Sequence, residues 1–252
     1  MIHWHCHDVF QRMPPRATAG GVAVVIDVLR ASTTIATALA HGAVRVVPVR
    51  GLDDARACAA ALGPGTLLGG ERGGVRIAGF DFGNSPLEYS RERVDGRSLV
   101  ITTTNGTAAL DVCRVAREVV VGAIVNRTAV AAAVRRLAAS QGITDVHLVC
   151  AGTDGEVTAE DLLAAGAILD AAARAGAADD LDPPARAALE RFRSTLRQVD
   201  VSPAAALAAA FATSPGGSNL IALGMVADLP ACAAIDSLGT VPRLDPATGS
   251  LI

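Results

Sequence analysis

The sequence predicts an α/β fold: three α/β/α layers around a mainly parallel sheet, with a helical C-terminal insertion and a terminal hairpin. Two observations predict it. Short β-branched runs alternate with alanine-rich helical stretches over the first two-thirds of the 252 residues, the signature of successive β-α units. Several strands read as continuous apolar runs rather than alternating ones, so both faces of the sheet are covered. The length allows one large domain or two small ones. Residues 1–252 are read as one, because neither the C-terminal helices nor the tail could bury a core alone.

The elements follow in order. Residues 21–27, GVAVVID, form an apolar run ending in an acid, as a buried strand does. Helix signals cover 32–41, with Ser32, Thr33 or Thr34 as N-cap candidates and Gly42 as terminator. A second strand spans 44–49, a helix 52–62 stops before Gly63-Pro64-Gly65, and a brief third strand covers 66–68. Residues 69–86 are a glycine-rich polar connection without periodicity, and loops that long are usually functional or disordered. Strand 98–102 leads to helix 105–115, strand 118–121 to helix 127–140, and strand 145–149 to helix 159–175. Beyond Asp179 the pattern is helical, at 185–197, 204–212 and 219–223. Residues 179–184 have the composition of a linker, and 240–252 read as a hairpin across Asp245-Pro-Ala-Thr-Gly249.

Composition excludes whole classes of function. The chain carries a formal charge of −3, 51% hydrophobic residues and 3% aromatics. Its mild negative charge argues against a nucleic-acid-coating protein, and no apolar segment of ~20 residues offers a membrane span. The start lacks the basic and apolar regions of a secretory signal. Five scattered cysteines without a CxxC pair read as reduced thiols of a cytoplasmic protein. All 22 basic residues are arginine. There is therefore no Schiff-base lysine and no Walker A lysine. An apolar face on the alanine-rich helices would allow a homodimer.

Polar residues collect where parallel strands end, the usual ligand position in open α/β sheets. Asp27-Val-Leu-Arg-Ala-Ser-Thr-Thr34 places Asp27, Arg30, Ser32 and Thr33 at a helix N-terminus, which favours an anion; an ordinary cap explains it equally well. Thr102-Thr-Thr-Asn-Gly-Thr107 is a hydroxyl- and amide-rich turn able to wrap a phosphate through Thr103, Thr104, Asn105, Gly106 and Thr107. The loop Gly69-Gly-Glu-Arg-Gly-Gly74, continuing to Asn84 and Ser85, brings Glu71, Arg72 and Asp81 towards a strand end. Glu160 and Asp161 sit in a first helical turn, as the helix dipole favours or as Mg²⁺ ligation requires. Cys150 is a candidate strand-end nucleophile or a buried small hydrophobe. His3, His5 and His7 alternate on one strand face and could hold zinc or iron, although no fourth ligand is evident.

Taken in order, VVIDVLRAST (24–33), LGGERGG (68–74), GFDFGNSPLEY (79–89), TTTNGTAAL (102–110) and CAGTDGEVTAEDLLAAG (150–166) resemble the 2-phosphosulfolactate phosphatase (ComB) family. Weaker matches lie at 217–233 and around Val241-Pro242. The resemblance implies a cytoplasmic Mg²⁺-dependent phosphatase that converts 2-phospho-3-sulfolactate to 3-sulfolactate and phosphate, a step of coenzyme M biosynthesis. Asparagine can stand where this chain has Cys150, so the thiol is not an obligatory nucleophile there. The stretch after Asp27 also lacks the second acid of the haloacid-dehalogenase DxDxT motif.

The expected chemistry is metal-assisted hydrolysis of a small anionic phosphomonoester. Asp27, Glu71 and Asp161 are the candidate Mg²⁺ ligands, with Glu160 and Asp81 in reserve. The Thr103–Thr107 turn, Ser32 and Thr33 would hold phosphoryl oxygens, with Asn84 and Ser85 beside them. Arg30 and Arg72 would pair with the anionic groups. Asp27 is open to two roles, nucleophile or metal ligand. Two other readings remain: a phosphatase for another phosphorylated hydroxy acid, and a non-catalytic anion sensor.

Overall fold

The computed structural model describes residues 1–176, 179–197 and 201–252. The first half runs β1 (His3–His7), β2 (Val22–Ile26), α1 (Ala31–Ala40), β3 (Arg45–Pro48), α2 (Leu52–Leu62), β4 (Leu67–Arg72), β5 (Val75–Arg76), α3 (Arg91–Val94) and β6 (Ser98–Thr102). Then come α4 (Gly106–Cys113), β7 (Glu118–Val121), α5 (Arg127–Gln141), β8 (Asp145–Cys150), α6 (Ala159–Arg174) and β9 (Asp180–Leu181). The last helices are α7 (Pro183–Arg197), α8 (Pro203–Ala212), α9 (Pro215–Ala222) and α10 (Asp228–Cys232).

The strands form a five-stranded sheet, β7-β2-β8-β1-β9, and a four-stranded sheet, β3-β6-β4-β5. Every pair is parallel except β4 with β5. The terminal hairpin joins the two. Leu244 pairs with Leu251 within it, Arg243 bridges to Val120 of β7, and Leu251 bridges to Val46 of β3. The expected hairpin is thus the seam of the sheet.

Helices cover both faces. Along β2, Val22, Val24 and Ile26 pack with Val130, Val134, Leu163 and Ile168 of α5 and α6. Ala23 and Val25 point the other way, towards Ile35 of α1 and Leu110 of α4. In β6, Leu99 and Ile101 share that second core, whereas Val100 packs against Ala55 of α2. The period-two alternation of β2 and β6 therefore feeds two helical layers, and the three-layer α/β/α arrangement follows.

Two expectations change, and the histidine-rich start gains a definite place. Residues 69–76 are not a featureless loop: β4 runs on to Arg72 and turns back as β5, with Glu71 opposite Arg76. The stretch 179–184 is no linker, because Asp180 and Leu181 add an edge strand beside His3 and Trp4 of β1. The histidine-rich start is an interior strand between β8 and β9, with Trp4 and Cys6 in the core. His3, His5 and His7 share the opposite face as expected. Their hydrogen bonds go to Asp180, Asp145 and His147, and among the described residues no group of three His, Cys, Asp or Glu side chains is arranged to hold a metal.

Candidate active site

A cleft of about 340 Å³ opens at the carboxyl ends of β2, β4, β6 and β8. Asp27 leaves β2, Glu71 sits near the end of β4, Thr104 and Asn105 follow β6, and Gly152–Asp154 follow β8. The first turn of α9, at Pro215 and Gly216, closes one side. The helices α1 and α4 begin at Ala31 and Gly106, beside Asp27. The N-terminus of α4 makes this corner favourable for an anion, whereas the first N–H groups of α1, at Ala31 and Ser32, are already taken by Asp27.

Glycine is required where α4 starts. A Cβ on Gly106 would stand 2.6 Å from Oδ2 of Asp27 and 2.7 Å from Cβ of Ala31. Asp27 is held by its own backbone: its N–H donates to Oγ of Ser32 at 2.8 Å, and its Oδ1 accepts from the Ala31 N–H at 3.4 Å. Glu71 is fixed from two sides. Its Oε1 accepts from the backbone N–H and hydroxyl of Thr104, and its Oε2 accepts from the Gly74 N–H at 2.7 Å.

Two more carboxylates lie behind the cleft. Asp161 accepts from the Val28 N–H at 2.9 Å and the Gly152 N–H at 3.0 Å, so it clamps the ends of β2 and β8 together. Glu160 is buried, and its Oε2 has no hydrogen-bond partner among the described residues. A Cβ on Gly216 would collide with its other oxygen. This crowding of acids moves their titration. Burial, and then the Glu71 charge, raise Asp27 to about 7. Burial followed by Asp27 and Glu160 raises Asp161, and burial raises Glu160.

Arg30 is the one arginine that lines the cleft among the described residues, and its charge is already matched. Its Nη1 donates to Oδ2 of Asp228 at 2.7 Å and its Nη2 to the Gly74 carbonyl at 2.8 Å. The site therefore holds more negative than positive charge. An anionic ester would be repelled from it without a cation alongside.

The model of the 2-phosphosulpholactate phosphatase family matches residues 8–246. The chain belongs to that family. Its members are phosphoric monoester hydrolases by description. Among relatives named "Probable 2-phosphosulfolactate phosphatase", one from Symbiobacterium thermophilum is 41% identical over 234 residues, covering 91% of this chain and 93% of the relative. One from Deinococcus radiodurans is 42% identical over 226 residues, covering 89% and 88%. One from Thermotoga maritima is 38% identical over 225 residues, covering 88% of each.

Within this member of the 2-phosphosulpholactate phosphatase family, the expected residues divide into three groups. Asp27, Arg30, Glu71, Asn84, Thr104 and Asn105 line the cleft. Ser32, Thr33, Thr103 and Thr107 are buried and bond to backbone around it: Thr33 donates to Val28, and Thr103 caps the N–H of Thr107. Ser85 donates to Asp228. Arg72 and Asp81 point elsewhere. Arg72 donates to the Arg50 carbonyl and to Thr102, and Asp81 accepts from the Leu68 N–H. Cys150 is fully buried, and hydrogen bonding with Cys6 together with burial raises its thiol far from reactivity. Sequence reasoning missed Asn219 and Asp228, which lie in the weakly matching 217–233 stretch, and the α9 turn at Pro215 and Gly216 just before it.

Proposed function

We propose that the chain hydrolyses 2-phospho-3-sulfolactate to 3-sulfolactate and phosphate with Mg²⁺ as cofactor, as in coenzyme M biosynthesis. One observation carries this reading: Asp27 and Glu71 face the first turn of α4 in a single cleft of a 2-phosphosulpholactate phosphatase family member. The surplus of buried carboxylate, including the Oε2 of Glu160 that meets no partner among the described residues, fits a divalent cation. Asp27 and Glu71 are the side chains that would hold it, since Mg²⁺ typically takes one or two carboxylates and fills the rest with water and phosphate oxygens. Asp161 does not line the cleft and supports the site from behind, through the Val28 and Gly152 N–H groups. When bound, the ion supplies the positive charge that neutralises the phosphoryl oxygens.

The chain's own groups do the positioning. Asn105 has an amide nitrogen without a partner among the described residues, and with the N-terminus of α4 it would receive phosphoryl oxygens. Thr104 keeps Glu71 in place rather than touching phosphate, because its N–H and hydroxyl both bond to that carboxylate. Arg30 would meet one of the remaining anionic groups. In the net reaction water's oxygen bonds to phosphorus, the ester P–O bond breaks, and a proton ends on the released hydroxyl.

Phosphate release from a panel of phosphorylated acids, with Mg²⁺ and with EDTA, tests the proposal. Turnover of 2-phospho-3-sulfolactate above the other esters, abolished by EDTA and restored by Mg²⁺, is expected. Preference for another phosphorylated hydroxy acid would replace the substrate, and binding without turnover of any ester would make the protein a sensor.

A further inference from the structure

Asp228 lies outside the cleft yet governs two of the donors that face it. It is 2% exposed, and both of its oxygens are engaged: Oδ2 with Nη1 of Arg30 at 2.7 Å, and Oδ1 with the Ser85 hydroxyl at 2.5 Å. Ser85 is the covalent neighbour of Asn84. One carboxylate from α10 therefore sets both the Arg30 guanidinium and the Asn84–Ser85 backbone.

Both positioned groups have unused hydrogen-bonding capacity. An arginine has five N–H donors. Three of those of Arg30 go to Asp228, Met225 Sδ and the Gly74 carbonyl, which leaves the Nε–H and one Nη2–H without a partner among the described residues. Asn84 is 5% exposed and lines the cleft; its Oδ1 is buried without a partner among the described residues, and its Nδ2, the donor, bonds to none of them. A buried amide without partners is expensive unless something arrives to use it. Arg30 and the Asn84 Nδ2 thus give the one cleft donors beside Asp27, Glu71 and the α4 turn, which serve the transferred phosphoryl group.

We propose that Asp228 is a positioning residue which, through Arg30 and Ser85, aims the Arg30 and Asn84 donors at a non-transferred anionic group of the substrate, its carboxylate or sulfonate. The inference rests on the proposed phosphatase function for its substrate but not for its test. 3-Sulfolactate carries both anionic groups and no phosphate, so its binding reports this subsite without turnover.

The experiment is calorimetric titration of the full chain with 3-sulfolactate, lactate and isethionate, for wild type, Asp228→Asn and Ser85→Ala. It is paired with kcat/KM on 2-phospho-3-sulfolactate, 2-phospholactate and 2-sulfoethyl phosphate. Loss of a charged, buried hydrogen-bond pair predicts that Asp228→Asn weakens 3-sulfolactate binding by about 10-fold to 100-fold. Ser85→Ala, which keeps the Arg30 ion pair, weakens it by about 3-fold to 10-fold. In turnover, the Asp228→Asn defect shrinks to within about 3-fold on the one truncated ester that lacks the group held by Arg30 and Asn84. The ester lacking sulfonate or the one lacking carboxylate identifies that group. Equal losses on all three esters, unchanged 3-sulfolactate affinity in both variants, or no binding by wild type would each overturn the inference. If Asp228→Asn does not fold, Ser85→Ala and Asn84→Ala carry the same comparison. If wild type turns over no ester but binds 3-sulfolactate in a Ser85- and Asp228-dependent way, the subsite stands and the phosphatase reading fails.

Discussion

Glu71 and Thr104 are locked together: Oε1 of Glu71 accepts the Thr104 backbone N–H at 2.8 Å and its hydroxyl at 3.1 Å. The carboxylate near the end of β4 is thereby fixed against the loop after β6, while its second oxygen receives the Gly74 N–H. Glu71→Gln leaves an amide nitrogen facing at least one of these donors. We expect kcat to fall by about 100-fold or more and stability by about 1–2 kcal/mol. Phosphate release and urea unfolding check both numbers, and a Gln variant with wild-type kcat would remove Glu71 from the chemistry.

Gly106 is the contact point between α4 and Asp27. Any added Cβ must displace either Oδ2 of Asp27 or the Ala31 methyl, because both lie under 3 Å away. Gly106→Ala is therefore expected to cut kcat by roughly 10-fold to 100-fold, since misplacing a reacting group by about an ångström has that effect. Its thermal midpoint should move by only a few degrees. Comparable losses in a neighbouring exposed position, such as Asp111→Ala, would show that α4 itself and not the Asp27 contact is responsible.

Much of the fold was legible because burial on two faces writes a simple pattern. The apolar run of β2 and the alanine-rich α5 and α6 are read from composition and period alone. The end of β4 was not. Gly69, Gly70, Glu71 and Arg72 have no strand propensity, and pairing of Gly69 and Gly70 with Ile101 and Thr102 of β6 holds them extended. That hidden strand also explains the placement of Arg72. Neighbours in a strand face opposite ways, so Glu71 and Arg72 cannot both enter the cleft. Asp228 was illegible for another reason: its partner Arg30 is 198 residues away in sequence, and only the folded chain brings them together.

The histidines stacked across β1 and β8 should appear in stability rather than in metal binding. His147 is buried against His5 and His7, with ring centroids 4.8 and 5.4 Å apart, and shares a hydrogen bond with His7. Burial, then the neighbouring His5 and His7, lower it to about 4 from an ordinary 6.5, while Asp145 acts in the opposite direction. A depressed folded value means that the stabilisation is present above pH 6.5 and is lost as pH falls towards 4. Wild type should lose on the order of 2–3 kcal/mol more than His147→Asn across that window. Urea titrations at pH 7, 5.5 and 4.5 measure it; parallel pH profiles for the two proteins would refute the assignment.

The most direct measurement is the rate of phosphate release from 2-phospho-3-sulfolactate by wild type and by Asp27→Asn, in Mg²⁺, with folding verified by circular dichroism. Asp27 is the group around which Gly106, Glu71, Asp161 and the starts of α1 and α4 are arranged. Wild type should turn over steadily, and the folded variant should lose about 1,000-fold or more. A folded Asp27→Asn protein that keeps the wild-type rate would contradict this.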